Sequence, residues 1–105
     1  MDRLDQLKNM LEDDPKDNFL LFAIAMEHMT RENIHEAITA FTTLKTVNED
    51  YVGLYYHLAE CYSEIEEYEN AIDAYQKGIK VAEKINDQHA KAELMNAKMN
   101  LELEM

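Results

Sequence analysis

Apolar residues recur along this chain at helical spacing in six successive stretches, parted by short polar breaks. Leu4, Leu7, Met10 and Leu11 mark one face of a first helix over residues 2–13. It ends at Asp13-Asp14-Pro15, where Asp14 is placed to cap the next helix with Pro15 at its first position. That second helix runs to about Met29 and is consecutively apolar from Phe19 to Met26. A helix apolar on all sides is either buried on all sides or awaits a partner. Thr30-Arg31-Glu32-Asn33 is a turn, and Asn33 with Glu36 forms a capping box for a third helix from Ile34 to about Thr46. After Val47-Asn48-Glu49-Asp50 the pattern predicts a helix from Tyr51 to Ile65 and another from Tyr68 to about Lys84. Asn86-Asp87 breaks it, and a last helix carries Ala90, Leu94, Ala97 and Leu101 on one face, with Met95 and Met99 beside them.

The third and fifth of these helices open on matching phrases. Ile34-His35-Glu36-Ala37-Ile38 returns 34 residues later as Tyr68-Glu69-Asn70-Ala71-Ile72. The same offset pairs Leu21 with Tyr55, Ile24 with Leu58, Ala25 with Ala59, Ala40 with Ala74, and Phe41 with Tyr75. Small residues recur where small residues stood, and large apolar ones where large ones stood. A fixed period of this length marks a helical repeat protein, in which each hairpin buries its apolar face against the next.

On these residues the chain resembles the tetratricopeptide repeat family. The matching features are the small residues Ala25 and Ala59, the Ala37-Ile38 and Ala71-Ile72 steps, Phe41 and Tyr75, and the Asp14-Pro15 boundary dipeptide. Two departures occur in the first repeat: His28 stands where the second has Tyr62, and Leu44 where the second has Gly78. The resemblance implies an all-α, right-handed α-solenoid of antiparallel helix pairs. It places an N-terminal half-repeat at 1–14, full repeats at 18–51 and 52–85, and a C-terminal capping helix at 86–105, all in one domain. It also implies a non-enzymatic interaction module or adaptor whose first helices line a concave groove, while the second helices lie outside.

Composition narrows the partner. Two Gly and one Pro in 105 residues leave little room for hairpin turns between strands. A net charge of −12 argues against nucleic acid and against anionic membrane surfaces, since both need a basic footprint. The favoured partner is a protein or peptide that is apolar or amphipathic, with a basic flank; the other reading of the charge is a solvated acidic face that keeps the chain soluble. One cysteine, Cys61, excludes an internal disulfide and reads as a buried small hydrophobe. The opening Met1-Asp2-Arg3-Leu4-Asp5 lacks the apolar core of a secretory signal, and no run reaches the ~18 apolar residues of a membrane span, so a cytoplasmic location is expected.

On helical spacing the groove face carries Phe19, Phe22, Met26 and Met29 in the first repeat, and Tyr56, Glu60, Ser63 and Glu64 in the second, where Gly53 opens it. We expect Phe19, Phe22, Met26, Met29, Tyr56, Glu60 and Glu64 to form the partner-binding groove. Two other readings stay open: the chain's own end helices cover Phe19 and Phe22 as core, or a homodimer buries the groove with no foreign ligand. Some family members hold a C-terminal carboxylate with Lys, Arg and Asn on this face; here Phe22, Met26, Tyr56 and Glu60 occupy those places, and none can do so. No catalytic constellation, metal site or cofactor is expected. His28, Glu32 and His35 straddle a turn, and the acids from Glu64 to Glu69 lack the alternating pattern of a calcium loop.

Overall fold

The computed structural model describes residues 2–105. Among them are six helices and no strand: α1 (Arg3–Asp13), α2 (Asn18–Thr30), α3 (Ile34–Val47), α4 (Gly53–Glu64), α5 (Tyr68–Lys84) and α6 (Gln88–Glu104). Each helix packs against its neighbour in sequence, and the chain extends over 42 × 29 × 19 Å. This is an all-α helical repeat solenoid.

The repeat phasing sets the core. Ala25, Ala37, Ala59 and Ala71 are fully buried, because a methyl group at these points lets helix axes approach. Phe41, Leu44 and Leu54 are equally inaccessible, and Tyr55 is 2% exposed. Each such side chain contributes roughly 1.5–3 kcal/mol of burial free energy. The apolar α2 is covered on several sides. Leu20 and Ile24 meet Leu4 and Leu7 of α1, while Leu21 and Ala25 join the main core. Met10 departs from the expected buried face of α1 and is 56% exposed. It lies about 60° beyond Leu7 around the helix, outside the strip that α2 alone covers.

Glycine marks one tight passage. A Cβ on Gly78 would lie 2.6 Å from Tyr55 Cβ and 3.0 Å from a methyl of Leu94. The missing side chain therefore lets α4, α5 and α6 converge. Leu44, one period earlier, is fully buried and fills its space instead.

Helix ends differ from expectation in three places. Asp17, not Asp14, caps α2, its carboxylate accepting from the Leu20 N–H at 3.0 Å. Asp14, Pro15 and Lys16 form a turn, closed by the Asp17 N–H donating to the Asp14 carbonyl at 3.1 Å, so the helix starts three residues later. Asn33 caps nothing; its side-chain amide turns back to His28 Nδ1 at 3.4 Å. The cause is the preceding turn, in which Glu32 adopts a left-handed φ of 61° and the Asn33 N–H donates to the His28 carbonyl. Glu66 and Asn86 repeat that conformation and closure after α4 and α5. Lastly, α4 begins at Gly53; Tyr51 and Val52 belong to the loop that leads into it.

Candidate functional site

α2 and α4 meet through the rings of Phe22 and His57. Phe22 is half-buried and wedges between the repeats, its ring 5.3 Å from Tyr51, 5.8 Å from His57 and 6.0 Å from Phe41. Edge-on contacts of this kind add to simple burial. His57 lies nearly parallel to the buried Phe41 ring at 6.1 Å and edge-on to Tyr56 at 5.6 Å. Its Nδ1 reaches Glu60 Oε1 at 3.1 Å. Glu60, Ser63 and Glu64 then line a shallow acidic depression of about 300 Å³ with Tyr75. One surface thus grades from aromatic at α2 to acidic at the end of α4.

The expected residues differ in exposure and surroundings. Phe19, in the first turn of α2, is 69% exposed, so neither end helix covers it. Phe22, Met26 and Met29 are half-buried and packed against the core, which makes each both scaffold and surface. Tyr56 is half-buried with its ring 6.2 Å from Tyr75. Glu60 is half-exposed and Glu64 exposed. His57 joins the aromatic and acidic parts, and no motif in the sequence marks it. The repeat frame offered one signal: His57 corresponds to Ala23, next to Phe22.

His28 and Cys61 are structural. The buried His28 titrates below its ordinary value because burial disfavours the imidazolium, with the nearby Lys8 charge adding to the effect. Burial, then Glu60 and Glu64, pushes the Cys61 thiol up to about 11, which suits an inert core residue and not a nucleophile. Among the described residues no three His, Cys, Asp or Glu side chains gather as a metal would require. No helix among them is long and apolar enough to cross a membrane.

Comparison with known proteins agrees with this architecture. A family model described as tetratricopeptide repeat matches residues 52–85. The solution structure of a tetratricopeptide repeat domain protein from Salinibacter ruber is 39% identical, with a TM-score of 0.80, over 85% of this chain and 90% of that one. The chain belongs to the tetratricopeptide repeat family. More distant structures share its fold. The TPR2B domain of yeast Sti1, solved as a pHsp70 complex, has a TM-score of 0.89 at 15% identity, over 97% of this chain and 82% of that one. The Yersinia enterocolitica type III secretion translocator chaperone SycD has a TM-score of 0.87 at 12% identity, over 96% of this chain and 70% of that one. No curated protein matches the chain. The tetratricopeptide repeat is in general a non-enzymatic protein-interaction fold, and an interaction module is the assignment that family membership carries.

Proposed function

We propose that the first-helix face of α2 and α4 takes an apolar or amphipathic peptide segment with a basic flank. The supporting observation is the unbroken contact path from Phe22 through His57 to Glu60, flanked by the exposed Phe19 and Glu64. An apolar anchor would rest on Phe19, Phe22, Met26 and Met29, where flexible thioethers adapt to irregular shapes. A Lys or Arg of the ligand would meet Glu60 and Glu64 beside Tyr56. The role is that of an adaptor, with no catalysis. The Sti1 domain, with the same fold, was solved as a pHsp70 complex, and that precedent supports the reading for this chain.

Titrating a labelled Leu/Lys amphipathic peptide into the protein, followed by backbone amide NMR, tests the proposal. Saturable shifts confined to α2 and α4, weakened by Tyr56→Ala and abolished by the Glu60→Lys, Glu64→Lys pair, are expected. Shifts elsewhere, or none, would refute it. The exposure of Phe19 also favours a second reading, a homodimer that closes the same face. Sedimentation across a concentration series separates the two: a strict monomer leaves the face open to a foreign peptide, and a tight dimer that Phe19→Ser dissociates assigns it to a second copy.

A further inference from the structure

The second-helix side carries a feature that the peptide-binding reading does not use. Lys45 of α3 and Lys77, Lys80 and Lys84 of α5 converge on a pocket of about 360 Å³ with Glu49, Asp50, Tyr55 and Val81. The chain holds only 10 lysines and arginines against 22 acids. Four of its ten cations at one pocket are therefore a concentration of charge that overall composition opposes. On α5 the three lysines fall at i, i+3 and i+7, which places them on one helix face.

Ordinary structural roles explain only part of the cluster. Lys45 and Lys84 lie in the last turns of their helices, where a cation complements the helix dipole. Lys84 also pairs with Asp50 at 2.9 Å, and Lys77 with Asp73 at 3.0 Å. Lys80 sits in mid-helix, and among the described residues neither it nor Lys45 has a carboxylate ion-pair partner. The half-buried Lys45 moreover shares this pocket with Lys77, close enough for each to act on the other's charge. Asp73 and Glu49 offset part of the repulsion between these two ammonium groups but not all of it. Accordingly burial, then Lys77, holds Lys45 below the ordinary lysine range.

We propose that this pocket binds a small, multiply charged phosphate group, held by Lys45, Lys77 and Lys80 over a floor formed by Tyr55 and Val81. Lysine suits that ligand, because a compact ammonium can approach a tetrahedral oxyanion from any side. The pocket is at the small end of the range for ligand sites and open to solvent, which fits a diphosphate-sized anion. Its lining comes from the second helices, the α3–α4 loop and the buried Tyr55 of α4, and includes none of Phe19, Phe22, Met26, Met29, Tyr56, Glu60 or Glu64.

Titrating inorganic pyrophosphate at low ionic strength, with amide NMR as readout, tests the assignment. Saturable shifts at residues 45–50 and 77–84 are expected. The Lys45→Met, Lys80→Met double variant should weaken binding by about tenfold or more for each lysine removed. The Lys8→Met, Lys16→Met variant changes net charge equally, lies outside the pocket, and should bind as the parent does. Circular dichroism checks that both variants fold. Unsaturable shifts, shifts that sodium chloride reproduces at matched ionic strength, or equal weakening in both variants would overturn the site. Succinate binding as tightly as pyrophosphate would overturn the choice of phosphate.

Discussion

Replacing Gly78 by alanine sets two known effects against each other at one position. In an exposed helix interior the change stabilises by about 1 kcal/mol, because alanine has the higher helix propensity. At Gly78 the new methyl would lie 2.6 Å from Tyr55 Cβ and 3.0 and 3.2 Å from the two Leu94 methyls. Carbon atoms in good contact stand roughly 3.5–4 Å apart. Leu94 can change rotamer, but Tyr55 Cβ is fixed to the α4 backbone, so α4 and α5 must separate by about 1 Å. Overpacking of this kind costs about 1–3 kcal/mol and at times more. With a 2.6 Å approach to a fixed Cβ the steric term lies toward the upper end of that range and wins, with a net loss of up to about 2 kcal/mol after the propensity gain. Thermal unfolding should fall by roughly 4–8 °C per kcal/mol for a domain of this size. Gly53→Ala is the control. Its Cβ would meet Phe22 and Tyr51 at an ordinary 3.8 Å, at the exposed first residue of α4, so that variant should match or exceed the parent. Urea melts of both, read by circular dichroism, decide the matter. A Gly78→Ala protein as stable as the parent would show that convergence of α4, α5 and α6 does not depend on the missing side chain.

Glu66→Gly and Glu32→Gly should each stabilise by up to about 1 kcal/mol in urea melts, since relief of left-handed strain outweighs the entropy of glycine; a loss of stability would count against strain at these turns. Burial lowers the His28 pKa, so the unfolded chain binds a proton below about pH 6.5 that the folded chain resists. Stability from this group is present above that pH and drains away as the medium is acidified. Melting temperatures from pH 7.5 downward should accordingly drop less for His28→Gln than for the parent, and parallel curves would refute the point. Cys61 gives the mirror case at alkaline pH: the unfolded thiol ionises near pH 8.5–9, the folded one near 11, so up to about 2–3 kcal/mol is lost across that window. The Cys61→Ala protein should lack that component, and the native thiol should stay unreactive to Ellman's reagent until the chain unfolds.

The linear sequence determined the helices and which face of each is buried. A 34-residue offset that returns Ala25 as Ala59 and Phe41 as Tyr75 specifies both the hairpin and its stacking, because only identical geometry satisfies identical buried faces. The fully inaccessible Ala25, Ala37, Phe41, Ala59 and Ala71 follow from that rule. Helix starts were less legible, since Asp14 and Asp17 can both cap, and the turn around Pro15 chose between them. Only the tertiary structure decided how residues distant in sequence meet. It wedged Phe22 between Phe41 and His57, and set His57 beside Glu60. It also brought Lys45 beside Lys77 across two helices. The reason is physical: periodicity reports the direction of a side chain about its own axis, whereas separation between helices depends on the volumes packed between them, as at Gly78 and Leu44.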